Sequence, residues 1–213
     1  GKSEGEAGMV EELRLLTLNI ERTAQWAKEQ CPDVPSIIFG HSMGGAAVGL
    51  VVLEYPQVAD LVVMSSASVK IADDMSPIEQ KLASFISKVV PSMGLVPLDA
   101  TQLSHDIEVQ QAYTSDGLNF KNKVPAVSCV SIMSAEKLVL ARAAEVKAPI
   151  LIMHGTKDSI CDPQGSELMY AGVSSTDKTL KMYPGLYHEI FNESLSDRTQ
   201  VLDDLIQWIE ERL

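Results

Sequence analysis

Ten residues, IIFGHSMGGA at positions 37–46, constrain this chain more than any other stretch. They read as a short apolar strand, a sharp turn with glycines on both sides of a serine, and the start of a small-residue helix. Gly-x-Ser-x-Gly in that context predicts a nucleophile elbow, in which a tight strand-to-helix turn holds Ser42 at a strained tip. The helix N-terminus behind it turns the Met43 backbone N–H and a favourable dipole toward any developing oxyanion. Only its place in the chain is unusual. Folds that carry such an elbow build several strands ahead of it, yet this serine is residue 42.

The rest of the chain repeats the alternation of helix and strand. Met9, Leu13, Leu16, Ile20, Ala24 and Ala27 recur at spacings of three and four, which predicts an amphipathic helix over 8–29. Apolar runs at 36–39, 61–64 (LVVM) and 150–153 (ILIM), with KTLKMY at 178–183, predict strands. Helices are expected at 44–54, 165–170 and 196–212, the last with Val201, Leu202, Leu205, Trp208 and Ile209 on one face. Most of the strands are apolar throughout, the pattern of a parallel sheet covered on both faces. Periodicity breaks over 69–147, where helical pieces (SPIEQKLASFISKVV and SAEKLVLARAAEV) are joined by Pro- and Gly-containing loops. The expected organisation is therefore one α/β core in two parts, 1–68 and 148–213, with an inserted cap over 69–147. A chain of 213 residues that is 46% hydrophobic suffices for one such core.

Charge and cysteine usage exclude other classes. The net charge of −12, from 29 acidic and 17 basic residues without a Lys/Arg run, argues against nucleic acid as a partner. Cys31, Cys129 and Cys161 lack paired spacing, and His41, His105, His154 and His188 are scattered, so neither a disulfide framework nor a metal site is expected. A reducing compartment fits those thiols, with a cytoplasmic or peripheral-membrane location favoured. No apolar run approaches the roughly 18–20 residues that span a bilayer.

A serine nucleophile needs a base, and the base an orienting acid, in the chain order Ser, acid, His. Asp158 follows the strand at 150–153 and His188 follows the strand at 178–183. Both fall at the C-terminal edge of the sheet, where parallel α/β folds build their sites. His154 directly ends its strand and is expected to support the loop carrying Asp158. The elbow should aim His41 elsewhere, and His105 should be solvated. Asp162 is the rival to Asp158 as the acid, but the proline after it explains it as a helix N-cap. Cys161 reads as a packed thiol near the site, close enough that a bulky thiol reagent would obstruct it.

Together GHSMGG, LIMHGTKDSICDPQG and DKTLKMYPGLYHEIFNE resemble the monoacylglycerol lipases and related lysophospholipase-like members of the α/β-hydrolase family. The resemblance covers most of the chain and is weakest over 69–147. It implies an α/β-hydrolase fold with Ser42 as nucleophile, His188 as base, Asp158 as its partner and the Met43 N–H as one oxyanion donor, with no metal or organic cofactor. In that family a second oxyanion donor comes from a His-Gly loop after the third strand, and GKSEG at 1–5 looks like the tail of a Gly-His-Gly-x-Ser segment. The expectation is thus an N-terminally truncated chain whose strand at 36–39 is exposed as a sheet edge. The implied substrate is a small lipid ester such as a monoacylglycerol. The apolar concentration Phe85, Ile86, Val89, Val90, Met93, Leu95, Val96 and Leu98 would serve partly as packing and partly as a lid contacting lipid. A lysophospholipid is less suited, since the cap offers only scattered cations such as Lys81 and Lys88. Two alternatives stay open: a general carboxylesterase or acyltransferase on small esters, and a low-turnover ligand-binding receptor on the same scaffold.

Overall fold

The computed structural model describes Lys2, residues 4–70 and residues 76–213. Residues 1 and 3 of the GKSEG opening, and 71–75 within the 69–147 block, lie outside the described residues. The first half of the chain runs α1 (Leu15–Gln30), β1 (Ile37–His41), α2 (Met43–Glu54), β2 (Leu61–Ser65), α3 (Pro77–Val89), β3 (Gly94–Val96) and α4 (Ile107–Ser115). The second half runs β4 (Val124–Pro125), α5 (Ala126–Arg142), β5 (Ile150–Gly155), α6 (Pro163–Gly172), β6 (Lys178–Tyr183) and α7 (Leu195–Glu210).

Strands β1, β2, β5 and β6 pair in that order, all parallel. Alternation along each strand divides the core in two. Val62, Met64, Ile150 and Ile152 pack with α2 on one face, while Leu61, Val63, Leu151 and Met153 pack with Val201 and Trp208 of α7 on the other. That is why Leu61–Met64 of β2 and Ile150–Met153 of β5, the two central strands, are apolar without interruption. Every residue from Gly45 to Leu53 in α2 is buried, because the helix lies between the sheet and helices α1 and α5. Each large aliphatic side chain so buried contributes about 1.5–3 kcal/mol. Among the described residues β1 forms one edge of the sheet, with Ile37 and Phe39 exposed.

Two elements depart from the sequence expectation. Helix α1 starts at Leu15 rather than near residue 8. Gly8 takes a left-handed φ of 78°, and the Val10 and Leu13 amides donate to the Ser128 and Ser131 hydroxyls of α5, at 2.8 and 2.6 Å. Side-chain spacing mimicked a helix there, but the backbone is bonded to a distant segment. Within 69–147, α3 begins where Ser76 and Glu79 form a capping box with Pro77 at the first turn. Helix α5 starts at Ala126, well before the expected piece, and neither α4 nor the antiparallel β3–β4 pair had been anticipated. Strands of two and three residues carry too little pattern to be read. Ala135, Val139, Ala143 and Val146 join the same core as α2 and the sheet, so the end of this block packs against the elbow helix.

Candidate active site

Ser42 sits between β1 and α2 with φ 55° and ψ −123°, a left-handed conformation that L-residues rarely hold. Four backbone bonds keep it there. Its N–H donates to the Ser65 carbonyl at 3.0 Å, and its own carbonyl accepts from Gly45, Ala46 and Ser68 at 2.9, 3.2 and 2.9 Å. The serine side chain does not cap α2, so the hydroxyl is not committed to the helix it precedes. Met43 opens that helix, where N–H groups have no intrahelical acceptor.

The glycines of the elbow differ in what they do. A Cβ on Gly40 would collide with the Gly44 carbonyl and the Val48 side chain, and one on Gly45 would lie 2.5 Å from the Ala67 Cβ. Gly44, the second glycine of the Gly-x-Ser-x-Gly pattern, meets nothing within 4 Å. The close helix–strand approach thus rests on Gly40 and Gly45. Gly44→Ala is expected to hold or raise the thermal midpoint, since alanine gains up to about 1 kcal/mol in a helix interior. Gly40→Ala is expected to lower it by several degrees or prevent folding. Thermal unfolding of the two variants checks this.

The remaining site residues come from the loops after β5 and β6. His188 Nδ1 lies 2.7 Å from Asp158 Oδ2, and both side chains are buried. With Nδ1–H donating to the carboxylate, Nε2 is left with its lone pair. Asp158 Oδ2 also accepts from His154 Nε2 at 3.0 Å, and Oδ1 accepts the Ile160 and Cys161 amides at 2.8 and 3.0 Å. Burial opposes ionisation of Asp158, but the hydrogen bonds from His154 and His188 and the neighbouring imidazole charge outweigh it. Its carboxyl titrates well below the ordinary carboxylate range. His154, fully buried, is fixed in turn by the Ser166 hydroxyl, 2.7 Å from Nδ1. It braces the Asp158 carboxylate.

Cys161 links the acid loop to the elbow. Its thiol lies 3.2 Å from Ser68 Oγ and borders the Ser42 hydroxyl. The donor atoms of Asp158, Cys161 and His188 fall within 4.8 Å of one another. Those three residue types are also metal ligands, but here the carboxylate oxygens are taken by N–H donors. Burial and the Asp158 charge push the thiol up to about 12, away from the thiolate a metal or an alkylating reagent needs. The exposed thiol is Cys31. Obstruction of the site by a reagent on Cys161 is accordingly opposed by the chemistry of the thiol itself.

Two histidines stand differently from expectation. The elbow does not send His41 away from the other site residues: its ring packs 4.8 Å from that of His188. Nδ1 lies 3.2 Å from Ser65 Oγ, and Nε2 lies 3.3 Å from Glu189 Oε1, at ion-pair distance but off the line of a hydrogen bond. Burial would raise the Glu189 carboxyl, yet His41 and Asn192 hold it below its ordinary value. His105 is not simply solvated either. It stacks on Tyr187 at 3.6 Å and pairs with a fully buried Glu193 at 3.0 Å. Asp162 caps α6, accepting from the Gln164 amide at 2.9 Å, and also meets Lys70. Glu189 and Glu193 went unread in the sequence. A glutamate beside a candidate base, and another five residues on in HEIFNE, were the available signals.

A family model described as serine aminopeptidase, S33 matches residues 1–195. The chain belongs to that family. Among its relatives, the monoacylglycerol lipase of Mycolicibacterium smegmatis is 35% identical over all of this chain and 75% of its own length. The mouse monoglyceride lipase is 29% identical over all of this chain and 71% of its own length. In structure, the hydrolase superposes on the Paleococcus ferrophilus monoacylglycerol lipase with a TM-score of 0.86 and 25% identity, covering 98% of this chain and 78% of that one. A yeast monoglyceride lipase variant in complex with a substrate analog shares the fold at a TM-score of 0.81. This S33 hydrolase is therefore a monoacylglycerol lipase-like enzyme of the α/β-hydrolase fold, as the three sequence motifs had implied.

Proposed function

We propose that this hydrolase cleaves the ester bond of a monoacylglycerol-like lipid through an acyl-enzyme on Ser42. The observation that carries the substrate class is an apolar cavity of about 490 Å³ beside the acid loop. Leu82, Ala83, Ile86, Leu95 and Met133 line it, and it ends against Ile160, two residues from Asp158. A cavity of that size and lining suits an acyl chain whose ester is presented at Ser42. The names of the relatives point to the same class.

In the proposed reaction Ser42 Oγ attacks the ester carbonyl carbon while His188 Nε2 accepts its proton, and the Met43 N–H stabilises the oxyanion. Asp158 holds the imidazole by Nδ1–H and stabilises the imidazolium. The tetrahedral intermediate collapses as His188 protonates the departing glycerol oxygen. Water, deprotonated by His188, then attacks the acyl carbon and releases the fatty acid and free Ser42. The 69–147 block supplies the lid. Ile78, Leu82, Phe85 and Val89 form an exposed apolar stripe along α3, which supports peripheral contact with a lipid surface. Among the described residues no helix is long and apolar enough to cross a membrane.

The test is an acyl chain-length profile on soluble and vesicle-borne esters, with Phe85→Asp beside the unaltered protein. Turnover should peak at long chains. Phe85→Asp should lose about tenfold on vesicles, the effect of roughly 1.4 kcal/mol of lost surface affinity, and little on a soluble short ester. A peak at short chains, or alcohols outcompeting water for the acyl group, would instead mark a general esterase or an acyltransferase.

A further inference from the structure

His188 lies in a loop held from both sides by one distant segment. The residue before it, Tyr187, donates its N–H to Glu193 Oε1 at 2.8 Å. The residue after it, Glu189, donates its N–H to the Leu103 carbonyl at 2.8 Å. Glu193 then reaches the same segment as Leu103. Its Oε2 accepts the His105 N–H at 2.9 Å, its Oε1 lies 3.0 Å from His105 Nδ1, and Ser104 Oγ is 3.2 Å from Oε2. The Tyr187 ring stacks on the His105 ring, closing the loop a second time. Glu193 is completely buried. A carboxyl side chain is an expensive thing to bury, and here every contact it makes runs between the His188 loop and residues 103–105. Gln102, the preceding residue, lines the apolar cavity.

We propose that Glu193 is a positioning residue for His188, clamping its loop to the 103–105 segment at the edge of the cavity. This rests on the reading of Ser42 and His188 given above. The clamp fixes the backbone on both sides of His188, and with it the line from Nε2 to the serine hydroxyl. Glutamine cannot replace Glu193, because its two ends differ. Whichever way the amide turns, an NH2 faces either the Tyr187 N–H or the His105 N–H, so one anchor is lost.

The experiment compares Glu193→Gln and His105→Ala with the unaltered protein on a soluble ester, and follows phosphonylation of Ser42 by a fluorophosphonate. Displacing a catalytic group by an ångström costs up to about 10²-fold. Glu193→Gln should therefore lose about 10–100-fold in kcat and in phosphonylation rate, with KM changed by less than about threefold. His105→Ala, which keeps its backbone N–H, should lose about 3–10-fold. The downfield proton resonance of His188 Nδ1–H should shift or broaden in both. A purely structural role would lower the unfolding midpoint and leave kcat per phosphonylated site unchanged. An unchanged rate in either folded variant overturns the proposal alone. Failure of the unaltered protein to label at Ser42 overturns the catalytic reading and this proposal with it.

Discussion

Ser42→Ala is expected to lower kcat on a monoacylglycerol by about 10⁴–10⁶-fold, the range over which loss of a serine nucleophile removes covalent catalysis. Only the hydroxyl is deleted. The backbone of the elbow does not depend on it, because Ser42 is held by its own N–H and carbonyl and its side chain caps no helix. Alanine tolerates a φ of 55° about as poorly as serine does, so the strain of the elbow is unchanged. The unfolding midpoint should therefore move by less than about 3 °C, the shift that corresponds to under 1 kcal/mol in a domain of this size. Steady-state turnover and thermal unfolding on the same preparation check both halves.

Asp158→Asn carries the second largest expected effect, a loss of about 10⁴-fold in kcat, the size found when a triad carboxylate becomes an amide. The hydrogen-bond pattern says why. Oδ2 faces two imidazole N–H groups and Oδ1 faces two backbone N–H groups, so all four contacts need an acceptor. An amide offers one acceptor end and one donor end. Facing the imidazoles, its NH2 forces His188 to rotate or to change tautomer. Facing the backbone, it leaves the Ile160 and Cys161 amides unsatisfied, at about 1–3 kcal/mol of stability.

The pH behaviour follows from the same contacts. The folded-state carboxyl is depressed, so its contribution to stability is complete above the unfolded value of about 3.9 and is lost as pH falls through the lower folded value. Across the acid limb of a pH–rate profile Asp158 stays ionised. That limb therefore does not report protonation of Asp158. An Asp158→Asn variant that keeps wild-type turnover would remove Asp158 from the mechanism.

What was legible in the sequence depended on how local the cause was. Strands at 61–65 and 150–155 stood out because burial on both faces demands a run of apolar residues. The elbow stood out because a turn this tight excludes side chains, although the excluded positions are Gly40 and Gly45 rather than Gly40 and Gly44 of the motif. Asp158 and His188 were legible from chain order and strand ends. The contacts that fix them were not, since Glu193 acts on residues 88 positions away and Ser166 on a histidine 12 away. The start of α1 was misread for the same reason: the Leu13 amide is bonded to Ser131, 118 residues on. Long-range polar contacts leave no periodicity behind.

The central claim, an acyl-enzyme on Ser42, is tested most directly by acid-quenching the protein during turnover of a long-chain monoacylglycerol and weighing its peptides. The account predicts an added acyl mass on the peptide containing Ser42, absent after Ser42→Ala and slower to form after His188→Ala. Acyl mass on another residue, or undiminished hydrolysis by the Ser42→Ala protein, would contradict it.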